Sequence, residues 1–591
     1  MLTNIARCAV ISAPLTPFDV DSNLSAMSVA ADKVLPSRPD VMVFGELSLC
    51  GASCGHLLRQ KTLLRDCMNA AVKFAELYKL SDTLFLLGLP LSVGRKVISA
   101  VAVIKGGRIH MFAASTADSD VLDAIDTEQR ILVDGREVPI RIRPIVRHNG
   151  MDIAIVPGLD ASRCPEPITA ALVAAPTTVK ADPARDYMMG ARISALSRML
   201  GAGLVLCASG MGESTYNGIY KNLGGIFENG TALGFQYDFE PLVLVRDIDL
   251  DLLPAKDLTE ATELGGKNLE RQRLNRHIPK NPLLPEANRE RILDDMADTQ
   301  IHGLATRIKP THLKKLVIGV SGGIDSAHAL LVCAAVCDRM GMERSDIIAV
   351  LMPGFGTKTD SRNLSEQLAQ EIGATIRVVP IADSVNQHFK DIAHDPLNLN
   401  ATYENGQARE RTQILFDIAG DNDGLVVGTG DLSEITLGWC TFGGDHLSGY
   451  NVNASLTKCM VTEGAKALAR RLGGRLPAII GEIAAAPPSP ELLPGDQVTQ
   501  NIIGPYELHD FFLYYYVRHN MTVDKIVSLA LQAFEDTYED KVIRATFEIF
   551  RRRFLTSQFK RGCAAEGVLF GEVCLSPFGT HFPSDLPTVN F

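Results

Sequence analysis

The residues that most clearly suggest chemistry lie in one short stretch, LVIGVSGGIDSAHALLVC, which runs from Leu316 to Cys333. Apolar residues around Gly319 predict a buried strand, and Ser321, Gly322 and Gly323 predict a sharp turn before an apolar helix. Such a turn directs backbone N–H groups and hydroxyls at one point, at the positive end of the helix. The stretch therefore predicts a binding site for phosphate groups.

The motif differs from the loop that transfers a terminal phosphate, because no lysine follows its second glycine. SGGxDS resembles instead the pyrophosphate loop of enzymes that cleave ATP between its α and β phosphates and attach AMP to a substrate. An ordinary strand–turn–helix is the alternative. The resemblance implies ATP contacts from the whole motif, which comprises Gly319, Val320, Ser321, Gly322, Gly323, Ile324, Asp325 and Ser326.

The composition limits the kinds of partner. The chain has 591 residues, with 58 lysines and arginines against 69 aspartates and glutamates. A mildly acidic chain does not favour a general nucleic-acid or anionic-membrane surface, so nucleotide phosphates must be bound locally. Apolar runs do not reach membrane-spanning length, and the first residues lack the charged-then-apolar plan of a signal peptide. We therefore expect a cytoplasmic protein that binds neither nucleic acid nor membrane.

Two blocks in which strands and helices alternate are separated by a polar stretch. In the first block, 1–253, the strands predicted at 224–230 and 241–250 form a hairpin-like pair. Residues 254–284 are charged and lack apolar periodicity, which predicts a linker. The other strands predicted in the first block are 9–14, 41–46, 84–90, 100–109, 152–157, 171–176 and 203–209.

The second block, 285–591, begins with a helical segment and continues with strands that are each followed by a helix. This alternation predicts an α/β fold with an open, doubly wound parallel sheet, Rossmann-like, whose ligands bind at the carboxyl ends of the strands. The SGGIDS turn lies at such an end. The predicted strands are 316–320, 347–352, 376–381 and 425–429.

Five separated motifs of the second block occur in the order found in NAD synthetases. They are VSGGIDSAHA, PGFGTKTDSRN, ENGQARERTQILF, GTGDLSEITLGWCTFGGDHLSGYNVNASLTK and SQFKRG. The block resembles that family, and the resemblance implies the adenine nucleotide alpha hydrolase (PP-loop) type of fold. It also implies the family's reaction, in which ATP and Mg²⁺ adenylate the nicotinate carboxylate of deamido-NAD and ammonia displaces AMP to give NAD.

Adenylation brings a carboxylate against a phosphate, so the site must neutralise negative charge. Asp325 and Glu434 are the carboxylates best placed to hold Mg²⁺, and a helix-capping acid or a surface charge is the alternative for each. Lys458 resembles the family lysine that contacts ATP phosphates, and we expect it to be catalytic together with the two acids. By the same resemblance, Arg411 and Thr429 contact ATP.

The resemblance also marks residues on the deamido-NAD side. Trp439 is the single tryptophan, and its indole could stack on a pyridine or adenine ring or fill the core. The glycine-rich stretches 441–449 and 353–360 are predicted to be mobile loops that exclude water from the acyl-adenylate. The residues implied for deamido-NAD are Asn405, Glu434, Trp439, Cys440, Thr441, Phe442 and Lys560.

In the first block, FGELSLCGASCGHLL (44–58) and GESTYNGIYKNLGGIFENG (212–230) resemble the nitrilase-like amidase domain of glutamine-dependent NAD synthetases. The resemblance implies an αββα sandwich that hydrolyses glutamine with a Glu–Lys–Cys triad. Glu46 is at the glutamate position, but Ser115 lies where the lysine should be and Val156 where the cysteine should be. Because an isopropyl group cannot attack an amide, we expect a degenerate amidase site.

Three cysteines near these segments are candidates for a substitute nucleophile: Cys50, Cys54 and Cys164. Structural cysteine is the usual alternative. The twelve cysteines of the chain lack the spacing of a zinc site or a disulfide framework, which favours reduced thiols. If no nucleophile remains, the first block persists as a packing partner that supports the oligomer and the synthetase fold.

These features together predict an NAD(+) synthetase, a ligase that uses ATP, deamido-NAD and ammonia with Mg²⁺ as cofactor. The ammonia is free or comes from a separate glutaminase, and the family implies a homo-oligomer. One alternative is a working glutamine-dependent synthetase with an unrecognised nucleophile. Others are a ligase that adenylates a different carboxylate and a non-catalytic nucleotide-binding scaffold, which the intact motifs of the second block disfavour.

Overall fold

The computed structural model forms two compact units, Met1–His277 and Ile278–Phe591. None of the helices it describes is long and apolar enough to cross a membrane. The residues described are 2–116, 119–159, 168–181, 186, 188–214, 219–256, 260–267, 269–286, 288–357, 359–489, 491–494, 498–569, 573–575 and 580.

The first unit contains two sheets and three described α-helices. One sheet has eight strands in the order β14-β1-β2-β3-β4-β5-β7-β6, and the other has seven in the order β13-β12-β11-β10-β9-β8-β15. The strands are β1 Ile5–Ser12, β2 Val41–Phe44, β3 Leu84–Val93, β4 Lys96–Lys105, β5 Arg108–Ala114, β6 Gln129–Val133, β7 Arg136–Ile142, β8 Ile145–His148, β9 Met151–Ile155, β10 Leu172–Thr177, β11 Gly203–Ala208, β12 Asn222–Glu228, β13 Thr231–Asp238, β14 Leu242–Asp249 and β15 Thr262–Gly265. The helices are α1 Val20–Val34, α2 Lys61–Leu77 and α3 Met189–Leu200, with 3₁₀ turns at Leu35–Ser37, Ala52–Arg59 and Leu250–Leu252.

The apolar residues of the first unit form three layers, because successive strand residues point to opposite faces of a sheet. Ile153 and Ile155 of β9 pack in the layer between the two sheets. Ala154 and Val156 pack in the outer layer that contains residues of α3. The other outer layer joins Ile11 of β1 to residues of α1 and α2. The predicted αββα sandwich is confirmed.

Three local predictions for the first unit differ from the structure. The stretch 100–109 is not one strand, since β4 and β5 are joined by a turn at Gly106 and Gly107, with φ of +56° and +81°. The predicted pairing of 224–230 with 241–250 is wrong, because β12 pairs with β13, whereas β14 pairs antiparallel with β1 in the other sheet. Part of the predicted linker forms β15, which pairs with β8.

The second unit is built on a five-stranded parallel sheet in the order β18-β17-β16-β19-β20. Its strands are β16 Lys315–Gly319, β17 Ile347–Leu351, β18 Thr375–Val378, β19 Gly424–Gly428 and β20 Tyr450–Asn451. Its helices are α4 Arg289–Ile308, α5 Ile324–Met340, α6 Thr359–Ile372, α7 Ala382–Asp391, α8 Ala401–Asp421, α9 Leu432–Leu437, α10 Lys458–Leu472, α11 Leu476–Ala485, α12 Thr499–Ile503, α13 Tyr506–Leu513, α14 Val523–Ala533, α15 Asp540–Thr556 and α16 Gln558–Arg561, with a 3₁₀ turn at Arg344–Asp346 and a π-helical turn at Tyr514–Arg518.

Both faces of this sheet are covered by helices. Leu316 and Ile318 pack with residues of α4, α5 and α10, whereas Val317 packs on the opposite face with residues of α8. The predicted doubly wound parallel sheet is confirmed. The strand order reverses between β16 and β19, and such a reversal opens a crevice at the carboxyl ends of the two strands. Residues 320–326 and 429–434 follow these two strands directly.

Candidate functional site

The glycine turn after β16 is held by its own serine hydroxyls. Gly322 has a φ of +89°, which favours glycine. The Gly323 N–H donates to Ser321 Oγ at 3.3 Å, and Ser326 Oγ donates to the Gly323 carbonyl at 3.0 Å. Helix α5 begins at Ile324. Backbone N–H groups and two hydroxyls therefore surround the first turn of the helix, as an anion site requires.

Three carboxylates and one lysine meet at the crevice between β16 and β19. Lys458 Nζ lies 2.5 Å from Asp325 Oδ2, 2.8 Å from Asp431 Oδ2 and 2.9 Å from Glu434 Oε1. Asp325 comes from the first turn of α5, Asp431 and Glu434 from the start of α9, and Lys458 from the start of α10. The lysine side chain is 8 % exposed and that of Asp431 is fully buried.

Burial and charge act against each other in this cluster. Burial raises the pKa of Glu434 to about 7, although Lys458 opposes the rise. Burial also raises the pKa of Asp431 well above its ordinary value. For Lys458 burial disfavours the charge, but the three carboxylates outweigh it and hold the lysine's pKa well above its ordinary value. One ammonium thus faces an excess of negative charge, so the cluster suits a further cation.

The cluster has the donors that a hard metal ion needs. One oxygen from each of Asp325, Asp431 and Glu434 can be chosen so that all three lie within 4.8 Å of one another. Asp325 Oδ1 is buried and has no hydrogen-bond partner among the described residues. Carboxylate oxygens are the ligands that Mg²⁺ prefers. The residues present therefore fit a divalent cation.

Hydrogen bonds fix the two helix starts that carry the cluster. Asp431 and Glu434 form a capping box, in which Glu434 N–H donates to Asp431 Oδ1 at 2.7 Å. Ser433 Oγ donates to buried Asp510 at 2.5 Å and accepts from the Lys458 N–H at 2.8 Å. The Tyr506 ring lies 5.1 Å from Lys458 Nζ. Helix α13 thus stabilises Lys458 in two ways, through the hydrogen bond of Asp510 to Ser433 and through the Tyr506 ring.

The other predicted ATP residues lie at the same edge of the sheet. Arg411 is partly buried, and desolvation lowers its pKa. Its Nε donates at 3.2 Å to the carbonyl of Met352, directly after β17. The Thr429 carbonyl, after β19, accepts from Asn453 Nδ2 at 2.8 Å. Arg409 instead donates to the Phe442 carbonyl at 3.1 and 3.0 Å.

Apart from Glu434, which lies in α9, the predicted deamido-NAD residues lie on the loop after α9 and on the segments that contact this loop. Lys560 Nζ donates to the carbonyls of Gly438 and Cys440 at 2.7 and 2.6 Å. Thr441 Oγ1 donates to Asn405 Oδ1 at 3.0 Å.

Two rings of this loop are not fully buried. Trp439 is half-buried, and the Arg553 guanidinium lies 4.8 Å from its ring centroid. Phe442 is 42 % exposed and contacts the rings of His446 and Phe559. Both rings therefore remain accessible for stacking on a ligand.

A small cavity of 30 Å³ lies beside the cluster. Glu434, Cys440, Asp445 and His446 are among its lining residues. Burial raises the pKa of Asp445, whose Oδ1 accepts from the Thr441 N–H at 2.6 Å. The cavity has room for a molecule about the size of water.

In the first unit, Glu46 is surrounded by hydroxyls. It accepts from Ser99 Oγ at 2.6 Å and from Thr178 Oγ1 at 3.5 Å, and burial raises its pKa. A Cβ atom on Gly158 would lie 3.0 Å from Ser115 Oγ and 3.6 Å from Glu46 Oε1. The structure therefore brings Glu46 and Ser115 together.

Gly158, two residues after the predicted nucleophile position, faces this pair. Val156 packs in the outer apolar layer, so Gly158, two residues later, is the position directed at Glu46. The turn is sharp, since Gly158 has a φ of +66°.

Of the three candidate substitute nucleophiles, Cys50 and Cys54 belong to the described residues. Cys50 is fully buried, and hydrogen bonds with the thiols of Cys54 and Cys67, together with burial, raise its pKa well above the ordinary value. Cys54 Sγ donates to the Cys50 carbonyl at 3.0 Å. Cys164 lies outside the described residues. A raised thiol pKa disfavours the nucleophilic thiolate at Cys50.

Comparison with known proteins matches residues 297–561 to the NAD synthase family model. The glutamine-dependent NAD(+) synthetase of Mycobacterium tuberculosis is 31% identical over 625 residues, covering 92% of this chain and 91% of its own. The chain belongs to the glutamine-dependent NAD(+) synthetase family. It is thus an enzyme, a ligase, and the predicted family and enzyme class are confirmed.

Two further comparisons cover different shares of this chain. The NH(3)-dependent NAD(+) synthetase of Fusobacterium nucleatum is 28% identical and covers 46% of this chain and 97% of its own. A solved glutamine-dependent NAD(+) synthetase from Cytophaga hutchinsonii has a TM-score of 0.42 and 15% identity, with coverage of 98% and 97%.

Several residues of the synthetase site were missing from the sequence prediction. Asp431 could have been found, because an aspartate three residues before a glutamate at a helix start predicts a capping box. Asp445 and Asp510 carry no such local signal. They reach the site only through the packing of the loop and of α13 around Lys458 and Thr441.

Proposed function

We propose that this enzyme uses ATP and Mg²⁺ to adenylate the nicotinate carboxylate of deamido-NAD, and then forms the amide of NAD with ammonia. The observation that carries the proposal is the cluster of Lys458 with three carboxylates, which stands beside a pre-formed anion turn at the sheet's switch point. A triphosphate and a cation have complementary sites at this edge.

The roles of the residues follow from their chemistry. Ser321, Ser326 and the amides of the glycine turn hold the pyrophosphate that leaves, and Lys458 neutralises phosphate charge as the acyl-adenylate forms. Asp325, Asp431 and Glu434 hold the magnesium ion. When bound, Mg²⁺ supplies a positive charge that stabilises the phosphate oxygens.

The deamido-NAD end is assigned to the loop after α9. Trp439 and Phe442 offer ring faces for stacking, and Lys560 and Asn405 anchor the loop's backbone and Thr441. The 30 Å³ cavity between Glu434 and Asp445 is the place assigned to ammonia.

We propose further that the first unit does not hydrolyse glutamine, so the ammonia is free or delivered by a separate glutaminase. The support is the absence of a nucleophilic side chain at Gly158, the position directed at Glu46. Ser115 Oγ would also lie only 3.0 Å from a Cβ there, and the positive φ disfavours any side chain. The first unit then remains as a packing partner in a homo-oligomer.

One alternative keeps glutamine as the nitrogen source, and the names of the Mycobacterium relatives favour it. It requires another nucleophile, and Cys54 is the strongest described candidate, because its hydrogen bond with Cys50 lowers its pKa. Replacing Cys54 by alanine distinguishes this route. Glutamine-driven turnover would then be lost, whereas ammonium-driven turnover would remain.

The decisive assay supplies ATP, Mg²⁺ and deamido-NAD, with either glutamine or an ammonium salt, and measures AMP and NAD. We expect turnover with ammonium and none with glutamine, and the variant Glu46→Ala should leave the ammonium rate unchanged. NAD formed from glutamine at low ammonia would overturn the proposed nitrogen source. Failure with both donors would overturn the synthetase proposal itself.

A further inference from the structure

A chain of three fully buried, uncharged polar side chains runs behind the carboxylate cluster. Asn453, Gln300 and His328 each have 0% exposure. They come from three separate parts of the second unit, namely the segment after β20, helix α4 and helix α5. Buried polar groups that are fully hydrogen-bonded tend to specify one arrangement of the elements they join.

Asn453 joins the two strand ends that carry the site. Its Nδ2 donates to the Asp325 carbonyl at 3.1 Å and to the Thr429 carbonyl at 2.8 Å. The first carbonyl belongs to the first turn of α5, which follows β16, and the second to the turn after β19. The neighbouring Asn451 Nδ2 donates to the Gly430 carbonyl at 2.8 Å. One amide group thus fixes how far Asp325 stands from the residues that follow β19.

The remaining bonds determine which way the Asn453 amide points. Gln300 Nε2 donates to Asn453 Oδ1 at 3.3 Å and to the Val452 carbonyl at 2.9 Å. Its Oε1 must then accept, and the His328 Nε2 atom at 3.0 Å is the donor. His328 therefore carries a proton at Nε2. Every polar atom of Asn453 and Gln300 side chains has a partner, so neither amide can flip without losing bonds.

We infer that Asn453 is a positioning residue of the synthetase site, which sets the spacing between Asp325 and the Asp431–Glu434 pair, and that Gln300 and His328 hold it in register. The inference rests on the proposed function. Asn453 contacts two carbonyls of the site's loops, so its effect reaches ATP and the cation through Asp325 and Thr429. Deamido-NAD is assigned to the loop after α9, which Asn453 does not contact in the described bonds.

The test compares the full-length wild-type enzyme with Asn453→Asp and Gln300→Glu. Each variant keeps the shape of the side chain but replaces a donating NH₂ group by an oxygen that faces carbonyl or amide oxygens. The matched control is Ser455→Ala, which removes a buried bond to the Val568 carbonyl at 3.0 Å but leaves the bonds of Asn453 to the Asp325 and Thr429 carbonyls in place. ATP binding with Mg²⁺ is measured by calorimetry, and KM for ATP and for deamido-NAD by AMP release.

We expect Asn453→Asp to weaken ATP–Mg²⁺ binding and raise KM for ATP at least tenfold, with little change in KM for deamido-NAD. Gln300→Glu should show the same pattern more weakly, and Ser455→Ala should bind ATP as the wild type does. If Asn453→Asp does not fold, Gln300→Glu decides, since it leaves Asn453 in place.

Wild-type ATP binding in the folded Asn453→Asp variant would overturn the inference. Equal losses for ATP and deamido-NAD would overturn it too, because they indicate a purely structural role. If Asn453→Asp does not fold, wild-type ATP affinity in Gln300→Glu would likewise overturn the inference. A wild-type enzyme that does not bind ATP with Mg²⁺ would overturn the proposed function instead.

Discussion

Replacing Lys458 by methionine keeps most of the aliphatic stem but removes the ammonium that three carboxylates share. Its Nζ lies between 2.5 and 2.9 Å from their oxygens, and the side chain is only 8 % exposed. Removing one partner of a buried ion pair costs about 3–5 kcal/mol, because the other charge stays buried and uncompensated. The carboxylates can take up protons, which relieves part of the uncompensated charge. We therefore expect the free energy of unfolding to fall by an amount within that range. A fall of roughly 5–10 °C in the unfolding midpoint corresponds to it.

Removing the negative charge of one carboxylate in this cluster should not destabilise the protein. Since one ammonium faces three carboxylates, Asp325→Asn removes surplus negative charge and leaves Lys458 two partners. We expect its free energy of unfolding to equal or exceed the wild-type value by about 1 kcal/mol, although adenylation is lost. Stability and activity therefore separate at this residue.

Denaturant unfolding followed by tryptophan fluorescence measures both changes, because Trp439 is the single tryptophan and lies in the second unit. The matched control is Lys466→Met on the same helix, whose lysine pairs with Glu463 at 2.9 Å and is 39% exposed. An exposed pair of this kind contributes only about 0.2–1 kcal/mol. The reasoning is refuted if Lys458→Met unfolds within 1 kcal/mol, roughly the exposed-pair limit, of Lys466→Met. A similarly large loss in Asp325→Asn would also refute it.

Glu434→Gln should lower the adenylation rate at least about 100-fold at saturating ATP, as followed by AMP release, and a near-wild-type rate would contradict the metal assignment. Burial lowers the pKa of His509 to about 4, so its stabilising effect is present above pH 6.5 and disappears as the pH falls towards 4. In denaturant titrations at several pH values, His509→Gln should reduce the decrease in the free energy of unfolding between pH 6.5 and 4 by up to about 3 kcal/mol. A pH profile identical to that of the wild type would show that His509 does not cause this decrease. Lys560→Met frees the loop after α9, so we expect a several-fold higher KM for deamido-NAD with an unchanged KM for ATP, and a change in both would indicate a wider disturbance.

Local pattern predicts the second unit well because its sheet is parallel and buried on both faces. Short apolar runs such as 316–320 and 347–352 can then only be central strands, and the SGGIDS turn must lie at a carboxyl end. Asp325, Glu434 and Lys458 meet for the same reason, since each lies in the first turn of a helix that begins at that edge.

The parts that could not be predicted depend on pairing between distant segments. The partner of β14 is β1, which lies more than two hundred residues earlier in the chain. No short turn joins the two strands, so local sequence does not predict their pairing. At the first unit's site, the approach of Gly158 to Glu46 and Ser115 carries no signal in the sequence, because it depends on how distant segments pack. The role of Asn453 could not be predicted from the sequence either, because it depends on hydrogen bonds to two carbonyls that are distant along the chain.

The electrostatics of the crevice explain why a lysine stands at the first residue of α10. A cation at a helix N-terminus is opposed by the helix dipole, so Lys458 gains nothing from the helix itself. It is held by Asp325, Asp431 and Glu434, which together carry more charge than it can neutralise. The adjacent glycine turn attracts phosphate, whereas the surplus carboxylate charge repels it. A further positive charge between the two halves of the site would relieve this repulsion, so we expect ATP and the cation to bind as one coupled event.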